Sequence, residues 1–232
     1  MSMDQRVDTR MAGLDAASAR LDWAKGGGLL PAIVQDWRSG EVLMLGYMNR
    51  DALAATCVSG RVTFFSRSKQ RLWTKGESSG HALVLKSIHV DCDADTLLVQ
   101  AQPQGPTCHR GTTSCFGDGP AVRPPLGFLA ELDALVAARH AERPAGSYTS
   151  ELFDGGIRRM AQKVGEEGVE TALAAVAQDD AALLGEAADL LFHLTVALRA
   201  RGLGLADVTA VLARRHTRSE STRVAAASTT VP

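Results

Sequence analysis

The sequence predicts two domains, an α+β N-terminal domain with a largely antiparallel sheet and an all-α C-terminal helical bundle. Short apolar runs separated by turn residues fill the first half of the chain, as is typical of antiparallel sheets. A glycine- and proline-rich stretch then interrupts the chain, because it can continue neither a helix nor a central strand. Alanine- and leucine-rich segments with helical periodicity follow it. The 232 residues are enough for two small domains.

The N-terminal domain is predicted over residues 21–116, after an N-terminal extension of residues 1–20. A helix is predicted at 49–58, since Asn49 can cap its first turn. Residues 36–40 are typical of a hairpin connection between the first two strands. The apolar runs predict strands at 31–35, 42–45, 61–66, 82–85 and 95–101.

The C-terminal domain is predicted over residues 127–216, after a linker at 117–126. We expect a flexible tail at 217–232, where alanine, serine and threonine dominate. Gly202 is a natural end for the third helix of this domain. Helical periodicity predicts helices at 128–142, 151–178, 180–201 and 205–216.

Charge and composition exclude some functional classes of protein. The chain has 25 lysines and arginines against 26 aspartates and glutamates, so it has no electrostatic footprint for nucleic acid or an anionic membrane. No uninterrupted apolar run reaches the roughly 18 residues of a membrane span, and residues 1–20 lack the apolar core of a secretory signal. We therefore expect a cytoplasmic protein whose cysteines stay reduced. Cys57 is assigned to packing within the first predicted helix.

Three aspartates, Asp91, Asp93 and Asp95, alternate along one short segment. On an extended segment they share one face, where like charges repel unless a cation neutralises them. Oxygen ligands of this kind suit Mg²⁺. An EF-hand loop is excluded, because its sixth and twelfth positions would be Thr96 and Gln102. Residue types alone leave open the alternative of a solvated edge.

Three cysteines, Cys92, Cys108 and Cys115, offer thiolates, which suit zinc. The Cys-x6-Cys spacing of the last two is not the tight pair of a zinc finger. Three cysteines without an obvious fourth ligand nevertheless fit a catalytic zinc, which keeps one position open for water. The alternative is that Cys92 and Cys108 are small buried side chains.

Residues 66–80 collect positive charge, hydroxyl groups and a glycine turn. Guanidinium forks, lysine charges and hydroxyls are the usual means of holding a phosphate. The alternative is a basic surface loop. The candidate substrate-binding residues are Arg67, Lys69, Arg71 and Lys75.

Acidic side chains cluster in narrow sectors of two neighbouring predicted helices. On the first, Lys163 and three glutamates fall within roughly 100°. On the next, Glu186, Asp189 and His193 fall within roughly 60°. Facing each other in a bundle, these five carboxylates would need divalent cations, as in two-metal phosphoryl-transfer sites. The alternative is two solvated faces with ordinary ion pairs. The glutamates of the first helix are Glu166, Glu167 and Glu170.

Longer motifs within residues 21–116 resemble the phosphoribosyl-AMP cyclohydrolase family of histidine biosynthesis. They are DW at 22–23, PAIVQD at 31–36, VLMLGYMN at 42–49, FFSRSKQRLWTKGE at 64–77, DCDAD at 91–95, GPTCH at 105–109 and SCF at 114–116. The resemblance implies a zinc ion bound by the three cysteines and Mg²⁺ bound by the three aspartates. It also implies a homodimer, with the zinc site shared between the subunits.

The same resemblance implies a reaction on phosphoribosyl-AMP. Zinc-activated water attacks C6 of its adenine ring, and the N1–C6 bond opens. His109, beside a ligand cysteine, is the first candidate for proton transfer, and His81 is the second. Structural, hydrogen-bonded histidines are the alternative. One departure is Gly27, where the family often has an acidic residue, so no catalytic role is assigned to that turn.

Motifs within residues 127–216 resemble the phosphoribosyl-ATP pyrophosphatase family, which belongs to the all-α nucleotide pyrophosphatases. They are SYT at 147–149, LF at 152–153, QKVGEEGVE at 162–170 and EAADLLFH at 186–193. The resemblance implies Mg²⁺ binding by Glu167, Glu170, Glu186 and Asp189, with assistance from Glu166. Metal-activated water then cleaves between the α and β phosphates and releases pyrophosphate. Lys163 is a candidate to meet the phosphate charge.

Together the two resemblances imply consecutive reactions, from phosphoribosyl-ATP to phosphoribosyl-AMP and then to the ring-opened product. Two alternatives stand beside this interpretation. A house-cleaning nucleotide pyrophosphatase with a zinc-stabilised partner domain leaves the motif at 64–77 unexplained. A non-enzymatic zinc-binding interaction module does not need the three aspartates.

Overall fold

The computed structural model describes residues 21–117 and 124–228, with side chains described up to residue 216. The predicted N-terminal extension and most of the predicted linker lie outside these residues. The chain divides into two compact units, with the boundary between Phe128 and Leu129. The strand-rich first unit and the helical second unit confirm the predicted fold class.

Residues 21–117 of the N-terminal unit form a four-stranded sheet, a two-stranded hairpin and one helix. The sheet has the order β2-β1-β6-β5, in which β1 and β6 are parallel and the other pairs are antiparallel. The largely antiparallel sheet was predicted, whereas the parallel pair was not. The elements are β1 (Leu30–Asp36), β2 (Val42–Met48), α1 (Arg50–Ser59), β3 (Thr63–Ser66), β4 (Arg71–Thr74), β5 (Leu83–Val90) and β6 (Leu97–Pro103).

Alternation along the strands builds the core of this unit. Leu30, Ala32 and Val34 of β1 are fully buried, while the residues between them are partly exposed. α1 covers the core, and its predicted cap is confirmed, because the Asn49 side chain accepts a hydrogen bond from Ala52 N at 2.8 Å. The apolar core explains why this half of the chain folds as one body.

The strand β4 was not predicted, since its residues lie in the basic stretch that we interpreted as a phosphate-binding loop. It pairs with β3 in an antiparallel hairpin, in which Phe64 faces Trp73. Thr63 and Thr74 add a cross-strand hydroxyl hydrogen bond of 2.9 Å. β4 has only four residues, of which Arg71 and Thr74 are polar, and this weakened its strand pattern.

The second unit is helical throughout its described residues. A short connection at 178–179 joins two long helices into an αα-hairpin, and Asp179 caps the second of them through Ala182 N at 2.8 Å. These two helices pack against each other along their length. The helices are α2 (Gly127–Glu142), α3 (Tyr148–Asp154), α4 (Gly156–Ala177), α5 (Asp180–Ala200) and α6 (Leu205–Ser228).

Two of the predicted helix boundaries are wrong. The helix expected at 151–178 is two helices, because Gly156 adopts a positive φ of 75° and breaks the backbone between α3 and α4. The last helix, expected to end at residue 216, continues to Ser228. Its last turns contain three consecutive alanines, which have the highest helix propensity.

Among the described residues, α5 is the helix whose length and composition would allow it to cross a membrane. Only 17% of its apolar window is buried in this chain. Core helices of soluble proteins pass the same test, and α5 also carries Glu186, Asp189 and His193. A single helix of this kind is weak support for a membrane span.

Candidate active sites

A cavity of about 410 Å³ in the N-terminal unit brings together several residues singled out from the sequence. Its lining comes from β2, from β4, from the segment that follows β4 and from the loop after β6. The motifs at 64–77 and 105–116, which are far apart in the chain, therefore meet at one site. The predicted site residues that line it are Lys75, His81, Cys108, His109 and Cys115.

The two cysteines of this cavity differ in acidity. A hydrogen bond from the Arg110 backbone, helped by the Thr112 side chain, lowers the pKa of Cys108. Burial raises the pKa of Cys115. Lys75 is buried beside them, and burial lowers its pKa although both thiolates oppose this shift. The cavity thus contains two adjacent thiols, which suit a soft metal ion, with the Lys75 ammonium beside them.

The third predicted zinc ligand, Cys92, is exposed and lies in the aspartate segment rather than in the cavity lining. Within residues 21–117 and 124–216, no group of three potential ligands that lie within 4.8 Å of one another includes a cysteine. One chain therefore assembles two of the three cysteine ligands that the family resemblance implies.

The three aspartates converge, but not on an extended segment as we expected. Ligand oxygens of Asp91, Asp93 and Asp95 all lie within 4.8 Å of one another. The segment is a turn, because Ala94 has a φ of 61° and Asp91 Oδ1 accepts the backbone N–H of both Asp95 and Thr96 at 3.0 Å. The predicted extended geometry is wrong, although the predicted cluster exists.

Sequence reasoning missed Lys25 as a partner of this cluster. Its Nζ lies 2.5 Å from carboxylate oxygens of both Asp93 and Asp95. The hydrogen bond from Lys25 lowers the pKa of each of these aspartates, and the same bonds raise the pKa of Lys25. The ammonium group thus neutralises part of the negative charge of the cluster by pairing with two of its three carboxylates.

The four cations of the basic stretch do not meet at one phosphate site. Arg71 is paired with Glu77 at 2.7 Å, and Lys75 points its Nζ at the His81 carbonyl at 3.3 Å. Arg67 lies 3.8 Å over the ring of Tyr47. Lys69 is exposed on the turn between β3 and β4. Of the four, only Lys75 lines the cysteine cavity.

A second carboxylate cluster forms between α4 and α5. Ligand oxygens of Glu167, Glu186 and Asp189 lie within 4.8 Å of one another, and Glu167 is buried. The two predicted acidic sectors therefore do face each other. Lys163 Nζ lies 2.6 Å from Glu167 and 3.0 Å from Glu166. The hydrogen bond from Lys163 lowers the pKa of both glutamates.

Glu170 lies at the edge of this cluster without belonging to the tight group. Burial, followed by repulsion from Glu167 and Glu186, raises the pKa of its carboxyl. The five carboxylates of this region outnumber the single ammonium of Lys163. A divalent cation would relieve the repulsion between them.

His193 and Tyr148 complete the helical site and were not assigned a role from sequence. His193 is buried, and its Nδ1 donates a hydrogen bond to the Asp189 carbonyl at 2.9 Å. In the neutral ring, Nε2 therefore accepts from the Tyr148 hydroxyl at 3.1 Å. His193 Nδ1 is also 3.6 Å from Glu167 Oε1. Two features of the sequence could have indicated these residues: His193 shares a helical sector with Glu186 and Asp189, and Tyr148 lies in the SYT motif.

A cysteine-lined cavity in one unit and a carboxylate cluster between two helices in the other are typical of hydrolases that use metal ions. Residues 44–117 match the family model of phosphoribosyl-AMP cyclohydrolase, and residues 129–216 match that of phosphoribosyl-ATP pyrophosphohydrolase. The two matches fall in the two structural units.

Curated relatives share both halves. The histidine biosynthesis bifunctional protein HisIE of Xanthomonas axonopodis pv. citri is 69% identical over 198 residues, which are 85% of this chain and 94% of the relative. The protein of the same name from Shewanella oneidensis is 56% identical over 87% of this chain and 94% of its own length. That from Vibrio vulnificus is 51% identical over 90% of this chain and 100% of its own length.

The chain belongs to this family of bifunctional histidine-biosynthesis proteins. It joins a phosphoribosyl-AMP cyclohydrolase to a phosphoribosyl-ATP pyrophosphohydrolase, and it is a metal-dependent hydrolase that acts on small molecules. The function inferred from the sequence is confirmed, and the two alternatives, a house-cleaning pyrophosphatase and an interaction module, are set aside.

Proposed function

We propose that Cys108 and Cys115 of one subunit, together with Cys92 of a second copy, bind a zinc ion at the cysteine cavity. Two adjacent thiols with an incomplete ligand set support this assignment, as does the exposure of Cys92. Bound in a three-thiolate set, zinc keeps one position open for water and lowers the pKa of that water.

In this cavity His109 is the first candidate to carry the proton. Its Nδ1 lies 3.9 Å from Cys108 Sγ, so it stands beside the metal ligands. It accepts a proton from the attacking water and delivers it to N1 of the adenine ring as the N1–C6 bond breaks. The oxygen stays on C6, so the product is one water heavier than phosphoribosyl-AMP.

His81 is the second candidate, and its ring lies against Gly105. A Cβ on Gly105 would lie 2.7 Å from the His81 ring, so glycine at 105 leaves the space that this ring fills. The Lys75 Nζ holds the His81 carbonyl from the other side. Lys75 itself faces the cavity wall beside the cysteines and is our candidate to bind the substrate there.

Both carboxylate clusters are proposed Mg²⁺ sites, because hard oxygen ligands from several carboxylates suit that ion. In the N-terminal unit the ligands are Asp91, Asp93 and Asp95. In the helical unit they are Glu167, Glu170, Glu186 and Asp189, with assistance from Glu166. The lysine ammonium groups found in both clusters support the proposal, since each marks a point where positive charge is favourable.

In the helical unit, the carboxylates orient the attacking water, and the reaction releases pyrophosphate from phosphoribosyl-ATP. Mg²⁺ would supply activation of that water and neutralisation of the phosphates. Lys163, which pairs with Glu167, would be available to a substrate phosphate if Glu167 ligated a metal. Tyr148, through His193, holds the α5 backbone at Asp189 in position.

We also propose that the protein is a cytoplasmic homodimer that binds neither nucleic acid nor membrane. Apolar side chains remain exposed on the two long helices of the second unit, including Val169, Leu173 and Leu184, while Val176 is 87% exposed. A zinc site shared between subunits requires a second copy of this chain. A near-neutral net charge of -1 gives no attraction to polyanions.

Subunit complementation tests the shared zinc site. Cys92→Ser and Cys108→Ser are each expected to lose ring opening as homodimers, because every site lacks a ligand. The two variants are then unfolded, mixed and refolded together. Half of the resulting dimers contain one chain of each variant, and each of these mixed dimers has one intact site out of two. Ring-opening activity should therefore recover to about a quarter of wild type. Ring opening of phosphoribosyl-AMP and zinc per chain are measured together.

The control is a mixture of Cys108→Ser with Cys115→Ser. Both changes fall in the same half of the proposed site, so no mixed dimer contains an intact one and activity stays absent. Recovery of ring opening in this control would contradict the shared site. So would a lack of recovery in the mixture of Cys92→Ser with Cys108→Ser, provided that pyrophosphate release shows that the chains have refolded.

A further inference from the structure

A second cavity of about 330 Å³ opens beside the cysteine cavity in the N-terminal unit. Met44 and Trp73 line both cavities, so these two side chains form a common wall. On the far side of the wall, the lining comes from β2 and from the hairpin of β3 and β4. The two cavities are therefore neighbours along one continuous surface of the same unit.

Close packing holds this wall in place. Trp73 stacks on Phe64 with ring centroids 5.7 Å apart. A Cβ at Gly46 would lie 2.3 Å from the Phe64 ring, so only glycine at this position of β2 permits the arrangement. The hairpin thereby presents a flat aromatic surface between the two cavities, and such a surface suits a purine ring.

The second cavity contains a cation that is not paired with a carboxylate. The Arg67 guanidinium lies 3.8 Å over the Tyr47 ring, and within the described residues no carboxylate lies at ion-pair distance from it. Arg71, the first residue of β4 after the hairpin turn, is instead held by Glu77 at 2.7 Å. Stacking uses the face of the guanidinium and leaves its N–H donors free in the plane, where they can bind a phosphate.

Two hydroxyl groups line the same cavity as Arg67. Ser66 and Ser68 both line the cavity, and their Oγ atoms are 3.4 Å apart. A guanidinium fork with two hydroxyl groups is a donor set that suits a phosphate monoester. An aromatic wall with such a donor set beyond it fits a nucleotide that reaches from one cavity into the other.

The substrate has the matching shape. Phosphoribosyl-AMP carries one phosphoribosyl group on N1, in the six-membered ring that is opened, and another on N9, in the five-membered ring. When C6 and N1 lie at Cys108 and His109, N9 and its substituent point away from the reacting bond. Placed along Trp73, the purine would carry its N9 arm toward the second cavity.

We propose that the second cavity binds the ribose 5′-phosphate on N9 of phosphoribosyl-AMP, with Arg67, Ser66 and Ser68 as phosphate ligands and Trp73 along the purine. This inference rests on the proposed placement of the reacting ring in the cysteine cavity. It also divides the basic stretch into two parts. Lys75 contacts the reacting end of the substrate, and Arg67 binds the phosphate of the N9 arm.

AMP and adenosine as competitive inhibitors of ring opening test the proposal on the full-length holoenzyme. AMP has the N9 phosphate and lacks the N1 arm, and adenosine lacks both phosphates. In wild type we expect AMP to inhibit about tenfold or more strongly than adenosine, the effect of charge-assisted hydrogen bonds to phosphate. Arg67→Gln should reduce this preference to about twofold or less, because the charged donors are lost.

Arg61→Gln is the matched control, since Arg61 is an exposed cation of the same unit that lies outside both cavities. It should keep the wild-type preference for AMP. Arg67→Gln should also raise KM for phosphoribosyl-AMP with little change in kcat, while zinc content and pyrophosphate release stay at wild-type levels, which shows that the variant is folded.

An AMP preference that is absent from wild type, or that survives in Arg67→Gln, would overturn the proposal. Equal weakening of AMP and adenosine would overturn it too, since that pattern assigns Arg67 a role in holding Tyr47 rather than the phosphate. Failure of subunit complementation is a separate result, because it concerns the metal ligands and leaves the ratio of the two inhibitors unaffected.

Discussion

The two carboxylate clusters of this protein both bring like charges close together, but they differ in how they are built. Asp91, Asp93 and Asp95 come from one turn, and two of them are exposed. Glu167 and its partners come from two helices, and Glu167 is only 5% exposed. The first cluster depends on local backbone geometry, whereas the second exists only when α4 and α5 are packed. Burial therefore ties the second cluster to the fold of its domain.

Each cluster contains one lysine, but the charge balance differs. Lys25 bonds to two aspartates and lowers the pKa of both. Lys163 bonds to Glu166 and Glu167, yet the pKa of Glu170 is raised by burial and by its acidic neighbours. More negative charge remains in the helical cluster, so we expect it to depend more strongly on an added cation.

The largest effect is expected for Glu167→Gln in the helical cluster. Loss of this buried carboxylate should reduce pyrophosphate release about a hundredfold or more, because metal ligation supplies several kcal/mol of transition-state stabilisation. Ring opening of supplied phosphoribosyl-AMP should be unchanged. Glu142→Gln, an exposed carboxylate at the end of α2, is the control. Equal activity of the two variants would remove Glu167 from the metal site.

A smaller effect is expected for Asp93→Asn in the exposed cluster. Ring opening should fall about tenfold to a hundredfold, because the remaining carboxylates still hold the metal weakly. Pyrophosphate release should stay intact, so phosphoribosyl-AMP should accumulate from phosphoribosyl-ATP, as followed by mass spectrometry. Zinc per chain should also stay intact.

The matched control for Asp93 is Asp51→Asn, in the exposed first turn of α1. Wild-type ring opening by the Asp93 variant would mean that the aspartate turn has a structural role only. Loss of zinc together with activity would instead link this turn to the cysteine cavity.

The smallest effect is expected for Lys25→Gln. Removal of an exposed ammonium from the aspartate cluster takes away a competitor of Mg²⁺, and an exposed ion pair is only a weak competitor. The Mg²⁺ concentration for half-maximal ring opening should therefore fall about two- to fivefold. Lys86→Gln, which removes a cation over Trp37, should leave it unchanged. A higher Mg²⁺ requirement in the Lys25 variant would show that Lys25 supports the metal site rather than competing with it.

Local sequence patterns predicted much of the fold. Asn49 caps α1 as expected, and the order of strands followed by helices holds. The errors arose where local signals were weak. β4 carries polar residues on both sides, and the break at Gly156 depends on a single backbone conformation that periodicity does not report. The parallel pairing of β1 with β6 joins residues far apart in the chain, so no local pattern could reveal it.

The sequence by itself determined the two-domain class, the family and the identity of the residues that form the two carboxylate clusters, because each is encoded in contiguous motifs. Only the tertiary structure decided which of them meet. It placed Lys25 among the aspartates, joined Tyr148 to His193, separated Arg67 from Lys75 on two sides of Trp73 and left Cys92 apart from Cys108. These contacts depend on packing between distant segments, and packing depends on the whole fold rather than on neighbouring residues.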